Sequence, residues 1–152
     1  MFKHIKPLQK TEENNPMIFL AGSIEMGEAE MWQEKAAKGF INEDVTILNP
    51  RRDDWDSTWK SQIKNKQFRD QVEWELSGLE NSVIVLFYFD INTKSPISLL
   101  ELGLFHKKAI VCCPKGFWKK GNVDIVCKHY NIKQVNTLEQ LIKAGKKELK
   151  CL

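Results

Sequence analysis

The sequence predicts an α/β protein, a three-layer sandwich around a mainly parallel five-stranded sheet. Three observations lead there. Short apolar runs at 17–23, 45–48, 83–89, 109–113 and 132–135 alternate with segments of helical character, and such alternation builds a parallel sheet covered by helices through right-handed crossovers. The longest run, Val83 to Phe89, is apolar on both alternations, as expected of a strand covered on both faces. Asp90, a short loop and a helix start follow it directly. That is the carboxyl end of a buried strand, where open α/β sheets place their ligands.

The chain has 152 residues, which suggests one domain over 1–152 with a sizeable core. Hydrophobic residues make up 42% and charged residues 28%, ordinary for a globular protein. A net charge of +3 and a pI near 8.6 are far from a dedicated binder of nucleic-acid polymers. No apolar run reaches the roughly 18 residues a membrane span needs. The polar stretch Met1 to Asn15 carries no apolar signal core, so a cytoplasmic location is the default expectation. Cys112, Cys113, Cys127 and Cys151 form no CxxC pair and read as reduced thiols rather than a zinc site. His4, His106 and His129 have no recognisable ligand spacing, so no metal is expected.

Residues 1–16 read as a loose lead-in ending at Pro16. Met17 to Ser23 is a first strand running into a small-residue turn. Gly22 permits close backbone approach of a ligand at a helix N-terminus, or the turn is simply tight. Residues 27–41 predict the first helix, with Trp32, Ala36 and Phe40 as a buried stripe. Val45 to Leu48 is a second strand, stopped at Pro50 of the sequence Asn49-Pro50-Arg51-Arg52. A polar loop with Trp55 and Trp59 runs to about Asn65; its indoles either stack a planar base or anchor the loop.

Residues 66–80 predict the second helix, with Phe68, Val72, Leu76 and Leu79 on one face. Glu75 lies inside or beside that stripe, either pointing inward or reaching water from its edge, and Gln71 is close by. After the central strand, Ser95 fits an N-cap and Pro96 the first helical position of a helix to about Lys107. Ala109 to Cys113 is the fourth strand. A basic aromatic loop, a short helix over 122–129, a last strand at 132–135 and a final helix over 138–150 complete the chain.

Glu101 is flanked by Leu99, Leu100, Leu102 and Leu104, and no basic residue stands three or four positions away to pair with it. A buried carboxylate without a partner is costly, and such carboxylates concentrate at functional sites; the alternative is an ion pair with a distant Arg or Lys. Asp90, Glu101 and Glu75 converge on the strand ends in this arrangement. A carboxylate nucleophile and a second carboxyl as proton donor suit cleavage of a glycosidic bond. The helix dipole favours an ionised Glu101 and burial opposes it; the sequence leaves the outcome open. This chemistry needs no metal and no organic cofactor.

Phe19-Leu20-Ala21-Gly22-Ser23-Ile24, Asn49-Pro50-Arg51-Arg52, Gln71 to Leu76, Ser95-Pro96-Ile97 through Leu100-Glu101-Leu102-Gly103, and Gly121-Asn122-Val123 together resemble the nucleoside 2-deoxyribosyltransferase family, in order, over roughly residues 17 to 135. The resemblance implies a flavodoxin-like fold and a double displacement in which Glu101 attacks the anomeric carbon. It implies that Asp90 holds sugar hydroxyls, that Glu75 manages the proton of the base, and that Gly22 and Ser23 line the sugar side. Asn49, Arg51, Arg52, Gln71 and Ser95 belong to the same set of substrate-binding candidates, and Asn122 resembles an Asn supplied across a subunit interface. The implied partners are a deoxyribonucleoside or deoxyribonucleotide, a free nucleobase, and further copies of the chain in a dimer or larger homo-oligomer.

Several family members carry a Tyr on the first strand that hydrogen-bonds the nucleophile. Phe19 takes the nearest position here, so the nucleophile must be positioned otherwise. Three readings stay open from sequence: a transferase exchanging bases, a hydrolase releasing deoxyribose or its 5-phosphate, and a nucleotide-sensing module. Arg51 and Arg52 suit a phosphate, or else they pair with Asp53 or Asp54.

Overall fold

The computed structural model describes residues 1–11, 14–24, 31–54, 56 and 58–152. Six strands and five helices follow in the order β1 (Lys3–Ile5), β2 (Met17–Gly22), α1 (Trp32–Gly39), β3 (Thr46–Leu48), α2 (Lys66–Asn81), β4 (Ile84–Tyr88), α3 (Pro96–Leu104), β5 (Ala109–Cys112), α4 (Lys120–His129), β6 (Lys133–Val135) and α5 (Leu138–Leu149). The sheet runs β1-β3-β2-β4-β5-β6 and every pairing is parallel. Without β1, this is the flavodoxin-like order, whose direction of winding reverses between the first and third of its strands. Here that switch point falls between β2 and β4.

The expected lead-in is partly wrong. Lys3–Ile5 pairs with Thr46–Leu48 and makes a sixth strand at the edge. Three residues alternating a charge, a His and an Ile give no periodic signal, and what defines this strand is the open edge of β3. The part of the expected first helix before Met31 lies outside the described residues. The third helix stops at Leu104, and His106–Lys108 forms a separate 3-10 turn.

Alternation along the parallel strands sends Phe19, Ala21, Val85, Phe87 and Val111 to one face and Ile18, Leu20, Ile84, Leu86 and Ile110 to the other. The first face packs with Leu79 of α2, Leu102 of α3 and Val123 and Cys127 of α4. The second packs with Trp32, Ala36 and Ala37 of α1 and Leu141 and Ala144 of α5. The sheet is thus covered on both sides, which is why its strands read as unbroken apolar runs.

Of the four large residues expected on α2's inner face, Leu79 is fully buried and Phe68 and Val72 are half-buried. Leu76 is exposed, while Gln71, Gly78 and Leu79 are buried. Helix α2 packs tightly on the sheet at Gly78, where an added Cβ would come within 3.0 Å of Phe19 and Leu48. A line through Gln71, Trp74, Glu75 and Gly78 therefore turns inward, following helical spacing from that contact.

Candidate active site

The strand ends are tied together around Ser23. Gly22 stands at φ +147, and a Cβ there would overlap the Tyr88 carbonyl oxygen, so only glycine lets β2 close against β4. Ser23 follows, fully buried, its N–H bonded to Tyr88 O at 3.0 Å. Its Oγ accepts from the Asp90 N–H at 2.8 Å and from Thr93 Oγ1 at 2.7 Å, and lies 2.6 Å from Ser95 Oγ. Thr93 and Ser95 are themselves 2.9 Å apart. The Ser23 carbonyl accepts from Trp32 Nε1 at 3.0 Å and Gln33 Nε2 at 3.3 Å. One residue thereby joins β2, β4, the 90–95 loop and α1.

Ser95 occupies the N-cap of α3 but makes no side-chain cap bond, and its φ is +50. The hydroxyl is committed to Ser23 and Thr93 instead. A non-glycine residue held in the left-handed region carries strain that the surrounding bonds must offset, a feature that clusters at functional sites. Asp90 is buried at the end of β4, and its Oδ1 accepts the Asn92 N–H at 2.8 Å.

Glu101 enters from α3 and is 8% exposed. Its carboxylate has no hydrogen-bond or ion-pair partner among the described residues. Burial pushes its pKa up to about 8, with a further push from the charge of Glu75. Glu101 is the sixth residue of α3, and the dipole's influence fades within the first turn, so desolvation wins the competition that the sequence left open. Glu75, partly buried on α2, is raised to about 7 by burial, opposed by a hydrogen bond from Gln71.

That bond, Gln71 Nε2 to Glu75 Oε1, measures 2.8 Å. The same amide nitrogen donates to Pro50 O at 3.3 Å, and the amide oxygen accepts from Arg52 Nη1 at 3.3 Å. Arg52 also lies over the Trp59 ring, 4.3 Å from its centroid, and pairs with Asp54 at 3.4 Å. Trp59 thus holds Arg52, while Trp55 lies outside the described residues. Arg51 is buried, its Nη1 bonded to Gln33 Oε1 at 3.3 Å, and Asp53 pairs with Lys6 at 3.1 Å. Asn49 is fully buried; its Oδ1 accepts the Arg51 N–H at 2.9 Å and its Nδ2 lies 3.1 Å from His4 Nε2.

The structure therefore brings Glu101, Glu75, Gln71 and Arg52 into one set and Ser23, Asp90 and Ser95 into an adjoining one. Asn122 stands apart, exposed in the first turn of α4. Sequence reading missed Thr93 and Gln33. Thr93 was visible as a hydroxyl two residues before Ser95, whereas Gln33, beside the Trp32 stripe, carried no signal of its own. No group of three or more acidic, Cys or His side chains suited to a metal occurs among the described residues.

Two clefts, of about 390 and 250 Å³, open elsewhere, one between the N-terminal segment and α2, the other beside Tyr88, Cys112 and the start of α5. Neither is lined by Glu75, Asp90 or Glu101.

A flavodoxin-like sheet with Asp90 at the end of β4 and the desolvated Glu101 on the helix that follows has its chemistry-bearing side chains where the α/β class places its ligands. The family model described as nucleoside 2-deoxyribosyltransferase like matches residues 15–117, and the chain belongs to that family. The match spans β2 through Phe117 and so takes in every candidate residue except Asn122. No curated protein matches the chain. No helix among the described residues is long and apolar enough to cross a membrane.

Proposed function

We propose that this protein is a nucleoside 2-deoxyribosyltransferase that cleaves the N-glycosidic bond of a 2-deoxyribonucleoside and passes the sugar to a second base through an ester on Glu101. The observation that carries this reading is Glu101 itself, a desolvated carboxyl without a local partner, close enough to Glu75 to feel its charge. A structural carboxylate in such a position would be a liability; a nucleophile gains from losing its water.

Between them the two carboxyls keep a proton near neutral pH. In the free protein Glu101, raised to about 8, holds that proton in preference to Glu75, raised to about 7. Transfer runs from the less populated arrangement, with the proton on Glu75 and Glu101 an ionised, poorly solvated nucleophile. A Glu101 oxygen bonds to the anomeric carbon as the carbon–nitrogen bond breaks. The bonding pair passes into the departing base, which takes the proton of Glu75. An incoming base then attacks the same carbon, gives its N–H proton to the now ionised Glu75, and Glu101 leaves as the carboxylate. Two inversions give net retention. Asp90 would hold the sugar hydroxyls from the neighbouring strand end. The exposed apolar line Ile97, Leu100 and Leu104 on α3 supports a homo-oligomeric form of the same enzyme.

The test is to incubate the protein with deoxyadenosine or deoxyuridine, with and without a second free base, and to separate the products. Exchange of bases is the expected result. Release of free base with no exchange would replace the transferase by a hydrolase, and binding without turnover would replace both by a sensor.

A further inference from the structure

We propose that Gln71, held by Arg52, is a positioning residue that confines the transferable proton of Glu75 to its second oxygen, Oε2. The inference rests on the deoxyribosyl-transfer reading above and deepens it.

The geometry leaves Gln71 one orientation. As placed, its amide nitrogen faces two acceptors, Glu75 Oε1 and the Pro50 carbonyl, and its amide oxygen faces a donor, Arg52 Nη1. Rotating the amide by half a turn would set nitrogen against the guanidinium and oxygen against the Pro50 carbonyl, exchanging matched contacts for repulsive ones. Gln71 is buried, so water does not compensate for the mismatch. Arg52 can only donate, and its Nε is buried without a hydrogen-bond partner among the described residues. The stack on Trp59 and the pair with Asp54 thus keep a permanent donor against the Gln71 oxygen.

The consequence falls on Glu75. An oxygen that accepts from Gln71 at 2.8 Å cannot also carry the acidic proton along that line. When Glu75 is protonated, the hydrogen sits on Oε2, free to pass to the departing base as its bond to the anomeric carbon breaks. In the return half-reaction the N–H proton of the incoming base comes back to the same oxygen. Arg52, Gln71 and Glu75 thus link the Asn49–Arg52 turn to the acid on α2, which gives that turn a role in proton placement rather than in phosphate binding.

Two variants separate this from plain packing. Gln71→Leu removes the donor. Gln71→Glu keeps an acceptor for Arg52 but reverses the bond to Glu75, so that the proton is trapped between the two carboxyls. The readout is the ratio of initial rates on deoxyuridine and on 4-nitrophenyl 2-deoxyriboside, whose leaving group departs without a proton. Each variant is expected to lose about 100-fold on the nucleoside, within the range of a proton donor, and roughly tenfold less than that on the aryl sugar. Equal losses on both substrates in variants that fold would overturn the positioning role. In the free protein, a carboxyl carbon NMR titration should move the Glu75 midpoint upward by about one unit in Gln71→Leu, since a bond to the charged form is lost. An unmoved midpoint would overturn it as well. Should the wild-type protein act on neither substrate, the transfer reading itself fails, and the unshifted or shifted midpoint still reports separately on the hydrogen bond.

Discussion

Helices α5 and α3 pack against opposite faces of one sheet, and they obey opposite rules. Helix α5 is amphipathic in the usual sense. Leu141, Ala144 and Gly145 face the core, lysines face water, and the Thr137 side chain caps the first turn by accepting the Gln140 N–H. Helix α3 is inverted. It buries Ser98, Glu101 and Leu102 while Ile97, Leu100 and Leu104 stand about 60% exposed. Its N-cap is strained and makes no side-chain cap bond. Burying Ile97, Leu100 and Leu104 instead would take about a third of a turn, at 3.6 residues per turn, and would lift Leu102 out of the core together with the acid. The helix thus anchors through Leu102, with Leu99 packed beside it, and the same face carries the acid inward.

The comparison can be broken most sharply at Glu101. Glu101→Gln keeps shape and removes the proposed nucleophile, so base exchange should fall by at least about 10⁴-fold while circular dichroism stays that of the wild type; retention of wild-type turnover would reduce Glu101 to a structural residue. Glu75→Gln should lose roughly 10²-fold or more, and more for bases that leave poorly. Uniform losses across leaving groups would remove Glu75 as proton donor. On the other face, Leu141→Ala should cost about 3 kcal/mol of stability in urea unfolding, as a fully buried side chain does; a change below about 1 kcal/mol would mean that α5 is not the conventional anchor described.

The raised Glu101 also makes a pH signature. Its native value of about 8 lies above the ordinary 4.5, so the native state holds the proton more tightly than the unfolded chain. The resulting stability is complete below about pH 4.5 and is lost as pH rises through about 8. Glu101→Gln should thus be more stable than wild type at pH 9, by roughly 2–4 kcal/mol, and indistinguishable at pH 4. Parallel pH profiles for the two proteins would show that Glu101 is not desolvated. The smallest effect is expected at Leu100→Ala, within about 0.5 kcal/mol of wild type for dilute protein, because that side chain is not packed within the chain.

Much of the architecture could be read from the residues because buried parallel strands announce themselves as apolar runs, as Val83 to Phe89 does. Glu101 was legible for a related reason: a lone acid among leucines has no local partner. Strand β1 was not, since its pairing is fixed by the edge of β3 rather than by its own pattern. The inner face of α2 was read correctly at Leu79 but not at Leu76, and Gly78, which packs tightly on Phe19 and Leu48 with no apolar side chain of its own, gave no signal. The Ser23–Thr93–Ser95 cluster joins residues about 70 apart in the chain, and no local spacing reports such a meeting. For Arg52, sequence offered a phosphate ligand or a pair with Asp54; the structure shows the pair and adds Gln71.

The most direct test of the whole scheme is intact-mass and peptide-level mass spectrometry of the protein quenched during turnover of a 2-deoxynucleoside without an acceptor base. The expected result is a mass increase of one deoxyribosyl group, mapped to Glu101 and lost when a free base is added. Release of base with no adduct on Glu101, or an adduct on another residue, would contradict the covalent role assigned to it.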